Sequence, residues 1–215
     1  MAFTLLDMRN RCRERIDMVN SQFASDAEIT KLINVAYARL HNIFVGKYED
    51  YTVTNATIPL VAGTNTYTLP TDFFKERQFN YVSGGTTTPM RRFAFGQYGP
   101  MRSVGAGGGD LQFRILNGNT LYVAPTPSTG SIEIWYVPQC TPLVLDTDTL
   151  ATFIPYGAEE YIIYDVAINL ALKEESDISA LVAMKRDFER ELEAMMMNRN
   201  ISYPDKVADV EPASA

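Results

Sequence analysis

The sequence predicts an α+β protein: a four-helix bundle of two N-terminal and two C-terminal helices, with an inserted antiparallel β-sandwich or barrel module. Apolar residues recur at every third or fourth position near both ends of the chain, which is the period of an amphipathic helix. The middle of the chain instead carries short runs of β-branched and aromatic residues, separated by Gly and Pro. The predicted limits are 1–47 and 151–198 for the bundle helices, 48–150 for the β module and 199–215 for an extended C-terminal tail.

The first predicted helix runs from about Thr4 to Asn20. Thr4 suits the N-cap position, because its hydroxyl can accept the N–H of Asp7 while the Asp7 carboxylate accepts the N–H of Thr4. Cys12 belongs to the apolar stripe, so we expect a buried structural thiol rather than a reactive one. The stripe consists of Leu5, Met8, Cys12, Ile16 and Val19.

The second predicted helix begins at a capping box, in which Ser25 and Glu28 satisfy each other's backbone amides. Gly46 is expected to close it. The position of His41 on this helix is typical of a residue that flanks a packed face. The apolar positions are Ile29, Leu32, Ile33, Ala36, Tyr37, Leu40 and Phe44.

The β module is predicted from short segments that suit a pleated, half-buried surface. The dipeptide Asn117-Gly118 separates two of these segments and predicts a type I′ hairpin, which needs positive φ at both central residues. The predicted strands are 67–69, 79–82, 91–95, 111–115, 120–124 and 131–137.

Two further helices follow the β module. The third is predicted after Pro155-Tyr156-Gly157, with Glu159 and Glu160 at its positive N-terminal end. The fourth is capped by Ser176 or Asp177 and runs to about Asn198. Since both are rich in acids, we expect the Arg-rich polar face of the first helix to pair with them. The apolar stripe of the fourth helix is Leu181, Met184, Phe188, Leu192, Met195 and Met196.

The residue types argue against an enzyme. Ser-His-Asp, Cys-His and multi-histidine metal sites each need an imidazole beside specific partners, and His41 is the single histidine in the sequence. The Gly-rich segment 105–109 precedes a strand pattern, so we expect a flexible loop tip there rather than a phosphate loop. The acid pairs Glu159-Glu160 and Glu174-Glu175 are expected to lie on solvated faces near helix ends. We therefore predict no catalytic residue, no cofactor and no metal.

Composition points to a soluble, acidic protein that is intracellular when made. The formal net charge is −7 at pH 7, which argues against a dedicated nucleic-acid binder. Charge appears too early in the first fifteen residues for a secretory signal, and no uncharged apolar run approaches the roughly 20 residues of a membrane helix. We therefore expect no membrane partner.

The β module leans toward positive charge. Between Lys75 and Arg114, six bases face two acids and alternate with aromatic residues. Such a pattern is typical of the solvent-exposed face of an antiparallel sheet, and it also occurs in nucleic-acid-binding proteins. We predict that this surface contacts a neighbouring subunit or a second protein through Arg77, Arg91, Arg92, Arg102, Gly107 and Gly108.

The sequence resembles the head-to-tail adaptor (connector) proteins of tailed bacteriophages, especially short-tailed phages (podoviruses). The resemblance spans nearly the whole chain. It is carried by Leu5-Leu6-Asp7-Met8-Arg9, Ser25-Asp26-Ala27-Glu28-Ile29, Leu32-Ile33-Asn34, Tyr67-Thr68-Leu69-Pro70-Thr71-Asp72-Phe73, Leu121-Tyr122-Val123-Ala124-Pro125-Thr126-Pro127, Ile132-Glu133-Ile134-Trp135-Tyr136-Val137-Pro138 and the helix from Pro155 to Glu175.

The resemblance implies a structural role in the virion. Such adaptors form a ring, generally of twelve subunits, below the portal protein, where they extend the DNA channel and present a surface for tail or nozzle proteins. Genomic double-stranded DNA then passes through without sequence-specific binding, and the protein lies in the neck of the virion after assembly in the host cytoplasm. By the same resemblance, the tail is expected to dock on the portal through Arg199, Ile201, Tyr203, Pro204, Val207 and Val210.

Two alternatives belong to different functional classes. One is a nucleic-acid-binding module that uses the arginines and aromatic residues of the β module. The other is a peptidoglycan hydrolase carried by the virion, for which the sequence offers only scattered carboxylates.

Overall fold

A computed structural model describes residues 3–17, 23–47, 49–102 and 109–198. These residues form an α+β fold, as predicted. The helices are α1 (Leu5–Arg15), α2 (Asp26–Lys47), α3 (Tyr98–Arg102), α4 (Glu159–Lys173) and α5 (Ser179–Asn198). The strands are β1 (Thr54–Pro59), β2 (Thr66–Thr68), β3 (Phe73–Ser83), β4 (Thr86–Pro89), β5 (Arg91–Arg92), β6 (Gln112–Leu116), β7 (Thr120–Ala124) and β8 (Ser131–Pro138).

The start of α1 confirms the predicted capping box. The Thr4 hydroxyl accepts the N–H of Asp7 at 3.2 Å, and the Asp7 carboxylate accepts the N–H of Thr4 at 3.0 Å. The predicted end at Asn20 is wrong, because the helix stops at Arg15 and Asp17 adopts a left-handed φ of 56°. A residue in that conformation ends an α-helix.

The long helices pack on one another within the first of two compact units. Helix α4 contacts α1, α2 and α5, and α1 also contacts α2. The apolar stripe of α2 is buried except for Leu32, which is only half-buried. The predicted stripe of α5 is correct for Leu192 and Met196, which are buried. It is wrong for Met184 and Met195, which are about half exposed.

The strands form two four-stranded sheets in the second unit. The first sheet has the order β1-β8-β3-β4 and is antiparallel throughout. The second has the order β2-β7-β6-β5 and is antiparallel except for its short β5–β6 pair, which is parallel, so the predicted antiparallel module holds apart from this one pair. Neither sheet closes into a barrel in the part of the chain that is described.

Local signals explain where the strand predictions hold and fail. The Asn117-Gly118 hairpin is confirmed, since both residues have positive φ (52° and 74°) between the antiparallel strands β6 and β7. The predicted strand 91–95 stops at Arg92. Beyond it, Ala94 and Gln97 cap each other's backbone groups and begin a 3₁₀ turn (Phe95–Gln97).

The two sheets share one hydrophobic cluster. Phe79 of β3 stacks on Phe113 of β6 with ring centroids 4.2 Å apart. Ile132 and Ile134 of β8 and Leu121 of β7 belong to the same cluster and are fully buried. Alternate residues of these strands therefore point into a common core.

The chain divides into two compact units, each of which is packed mainly against itself. One unit comprises Met1–Lys47 with Leu143–Ala215, and the other comprises Tyr48–Pro142. Residues 143–149 join the helices because the backbone N–H groups of Leu5 and Leu6 donate to the carbonyls of Asp148 and Asp146. None of the described helices is long and apolar enough to span a membrane.

Candidate functional site

The β-module arginines predicted to form a contact surface lie on two different sheets. Arg77 belongs to β3 of the first sheet, whereas Arg91 and Arg92 make up β5 of the second. All three are exposed. The side chain of Arg102 and both Gly107 and Gly108 lie outside the described residues.

Two of these arginines are neutralised within the β module. Arg77 forms an ion pair with Asp50, and Arg92 forms one with Glu76 at 2.9 Å. Asp50 and Arg77 also line, with Trp135, a shallow depression of about 330 Å³. Pairing with carboxylates reduces the positive charge available to phosphates, which weighs against the nucleic-acid alternative.

Arg114, which is not among the predicted contact residues, packs on an aromatic cluster of the β module in which Phe95 is exposed and Tyr122 is buried. Its guanidinium lies 5.0 Å above the ring of Phe95 and donates to the carbonyl of Phe93 at 2.9 Å. Phe95 stacks in parallel on Tyr98 at 6.1 Å, and Tyr98 packs edge-on against Tyr122 at 5.0 Å. Phe95 itself remains 64% exposed, so its side chain is available to a partner.

The cationic face of α1 pairs with α4, as the charge pattern predicts. Arg11 and Arg15 both bind the carboxylate of Glu160, at 2.7 and 2.6 Å. Arg13 binds Asp26 at 2.6 Å, and that hydrogen bond lowers the pKa of Asp26. The ion pairs tie the start of α2 and of α4 to α1.

Arg9 departs from the sequence prediction. The helical pattern places it on the polar face of α1, yet it is buried and forms an ion pair with Asp146. Asp146 lies in the segment after the β module, which packs on α1. Periodicity within one helix carries no information on a carboxylate 137 residues away, so nothing in the local sequence indicated this pair.

Asp165 of α4 is a buried carboxylate shared by two cations. It is 5% exposed and accepts from Lys185 of α5 at 2.6 Å and from Arg39 of α2 at 3.1 Å. Burial alone would lower the pKa of Lys185, but the hydrogen bond and charge of Asp165 outweigh it and raise that pKa. The three side chains connect three helices through one charge network.

Two further titratable groups of the helical unit, His41 and Cys12, are buried among apolar side chains. His41 is 3% exposed, its ring packs edge-on against Phe153 at 5.6 Å, and its Nε2 has no hydrogen-bond partner among the described residues. Burial lowers the pKa of His41. Burial raises the pKa of the Cys12 thiol to about 12, so it remains protonated and behaves as an apolar group, as predicted.

The carboxylate pairs behave differently from the expectation of solvated faces. Glu159 is buried and its carboxylate accepts the N–H of Gly157 at 2.7 Å, while Glu160 holds the two arginines of α1. Glu174 and Glu175 are exposed, as expected. In the described part of the chain, no cluster of three His, Cys, Asp or Glu residues has the arrangement of a metal site.

Several large apolar side chains of the helical unit are exposed. Val144 and Leu145 follow the last residue of the second unit in the sequence, and their N–H groups donate to the carboxylate of Asp148. Those two hydrogen bonds lower the pKa of Asp148 and fix the loop. The remaining exposed apolar residues of this unit are Leu6, Phe23, Val35, Tyr156, Leu172, Met184 and Met195.

The residues predicted to dock on the portal cannot be placed. Arg199, Ile201, Tyr203, Pro204, Val207 and Val210 all lie outside the described residues. Their role therefore stays a prediction.

The sequence profile of the SU10 adaptor protein family matches residues 3–208. The match includes both compact units and most of the segment after α5. The chain matches no curated protein.

Proposed function

Since the chain belongs to the SU10 adaptor protein family, and is thus a bacteriophage head–tail adaptor with a structural role in the virion, we propose that it forms a ring below the portal. The ring extends the DNA channel and presents the attachment surface for tail or nozzle proteins. The observation that carries this proposal is the match to the adaptor family over residues 3–208.

The finer features of the proposal follow the family resemblance. We propose a ring of twelve copies in the neck of a short-tailed phage, assembled in the host cytoplasm. A ring requires heterologous contacts that close on rotation, and many copies on one symmetric partner gain avidity from modest individual contacts. We also propose that the four long helices form a bundle and that the two sheets form a sandwich.

The electrostatics of the chain support a channel rather than a DNA clamp. The net charge of −7 disfavours tight, salt-dependent binding of phosphates, so DNA can pass without being held. In the β module, Arg77 and Arg92 are already paired with carboxylates. We propose that the protein is not an enzyme and that its partners are the portal, tail proteins and further copies of itself.

The tail is proposed to supply the contact with the portal. Residues 199–215 contain two prolines and no helical or strand period, but they include apolar anchors. We propose that these apolar anchors bind the portal, so that attachment of each copy depends on the portal being present.

The proposal is tested by the mass of the full-length protein in solution, alone and mixed with purified portal protein. We expect a monomer alone and a ring-sized complex with the portal. The proposal would be contradicted by a monomer that does not bind the portal and instead binds duplex DNA with an affinity that falls steeply with salt concentration. Turnover of a cell-wall substrate would also contradict the proposal.

A further inference from the structure

The first sheet of the β module ends in two strands whose outer edges are unpaired among the described residues. These are β1 at one end and β4 at the other. A strand edge exposes a row of N–H and C=O groups that can pair with another strand. Proteins protect such edges with very short strands, charged side chains, bulges or a covering segment.

The edges of the two sheets differ in this protection. In the second sheet, β2 has three residues, and β5 consists of the two exposed residues Arg91 and Arg92. In the first sheet, β1 has six residues and β4 has four, and neither strand contains a charged residue. Each ends in a proline, which has no N–H and therefore limits pairing to the residues before it. The first sheet is thus the one with edges open to strand addition.

Strand direction makes the two edges of the first sheet complementary. Every neighbouring pair in the order β1-β8-β3-β4 is antiparallel. Four alternating strands leave β1 and β4 running in opposite directions. When a second copy is placed beside the first in the same orientation, its β1 therefore runs antiparallel to β4 of the first copy, and the alternation continues without a break.

We propose, on the basis of the adaptor ring proposed above, that neighbouring copies join by antiparallel pairing of β1 from one copy with β4 from the next. The contact is head-to-tail, because it uses two different edges, and such a contact can close into a ring. Four strands about 4.8 Å apart span about 19 Å, so the joined sheets of twelve copies would form a ring with a circumference of about 230 Å.

The two faces of the sheet select one register. Ala56 and Ile58 pack toward the core, opposite Ile134 and Ile132, so Asn55 and Thr57 lie on the outer face. The pairs Tyr81↔Thr88 and Asn80↔Pro89 place residue 88 on the core face and residue 89 on the outer face. Three registers pair all four residues of β4 with residues of β1. Only the pairing of 55–58 with 89–86 sets the core-facing residues of one strand opposite the core-facing residues of the other. That register sets Thr57 of one copy opposite Thr87 of the next.

The test is disulfide formation between copies assembled on the portal, in full-length protein that carries Cys140→Ser. Cys12 is retained because it is buried. One preparation carries Thr57→Cys and the other Thr87→Cys. We expect that the mixture forms at least about tenfold more covalent dimer than either variant alone, because the head-to-tail contact sets residue 57 beside residue 87 and never beside another 57. The control mixture places cysteines at Thr66 and Arg91 on the edges of the second sheet, and we expect no dimer from it.

A second variant removes dependence on disulfide geometry. Thr87→Lys adds a charge to the exposed edge of β4, and we expect about a tenfold or greater loss of rings on the portal. The control is Thr68→Lys. Thr68 is exposed on β2, an edge strand of the second sheet, and we expect this variant to assemble normally.

The outcomes separate this inference from the proposed function. If rings form normally with Thr87→Lys, and the mixture of Thr57→Cys with Thr87→Cys gives no dimer, the proposed edge pairing is wrong. The proposed adaptor ring is not affected by that result. Dimers of Thr57→Cys with itself would show a two-fold contact and overturn the head-to-tail arrangement. If the unmodified protein forms no ring on the portal, the proposed function fails and the inference fails with it.

Discussion

At Asp165, one carboxylate holds three helices together. The side chain of Asp165 is nearly inaccessible to solvent, and its oxygens are occupied by a lysine of α5 and an arginine of α2. A buried ion pair is a poor source of net stability, but removal of one partner leaves an uncompensated charge. Asp165 therefore fixes the relative placement of α2, α4 and α5 more than it adds to the free energy of unfolding.

Substitution Asp165→Asn tests this role. We expect a loss of about 2–3 kcal/mol in the free energy of unfolding, because the ammonium of Lys185 stays largely buried without its anion. The loss is measured by chemical denaturation at pH 7. The matched control is Asp187→Asn, which removes an exposed pair with Arg190 and should cost less than about 0.5 kcal/mol. Equal losses in the two variants would contradict a special role for Asp165.

Because His41 is buried, we expect the free energy of unfolding to depend on pH. Burial lowers its pKa below the ordinary value of 6.5, so the unfolded chain binds a proton more readily than the folded chain. The free energy of unfolding should therefore be unaffected above about pH 7 and fall as the pH drops through 6.5. Since the chain has one histidine, its NMR titration needs no assignment.

The control for that titration is His41→Gln, which cannot gain a proton in this range. We expect its stability to change less than that of the unmodified protein between pH 7 and pH 5.5. A His41 titration midpoint at or above 6.5 would show that the ring is not desolvated as described.

Among the helices, α2 shows how far periodicity alone reaches. The stripe at steps of three and four identified most of its buried residues, and the Ser25 hydroxyl accepts the N–H of Glu28 at 3.2 Å as the capping motif predicts. Leu32 falls at the border of the stripe, where the sequence cannot say which neighbour covers it. The structure leaves it half-buried, whereas Ile33 is fully buried.

The difference between these two neighbours is measurable. Ile33→Asp should unfold the helical unit, because it places an unpaired carboxylate in a site with no solvent access. Leu32→Asp, which the stripe alone marks as equally harmful, should lower the melting temperature less. Val35→Asp, at a half-exposed site on the same helix, is the control. A larger effect at Leu32 than at Ile33 would mean that the buried face of α2 is wrongly placed.

Strands were predictable where turn chemistry or apolar residues marked them. The Asn117-Gly118 turn and the apolar strands β7 and β8 carry strong local signals. Strands β1 and β4 do not: β1 alternates weakly and β4 consists of exposed threonines and a proline. Their pairing partners, β8 and β3, decide that they are strands, and that information is not local. The pairs Arg9–Asp146 and Arg114–Phe95 were missed for the same reason.

At the scale of the whole molecule, the C-terminal tail is the segment proposed to bind the portal. Deletion of residues 199–215 should leave the melting temperature nearly unchanged, because those residues lack the apolar period of a core element. The same deletion should weaken docking on the portal, measured as the portal concentration needed for half-maximal assembly. Unchanged docking would contradict the assigned role of the tail. As a control, deletion of 211–215 alone removes none of the proposed anchors.

Many copies of this chain are proposed to form a collar in the virion, and electron microscopy of the particle neck would show that collar. We expect a closed ring of this protein between the portal and the tail, with the DNA path through its centre. Particles that contain the protein elsewhere, or that carry a complete neck without it, would show that the protein is not a neck adaptor.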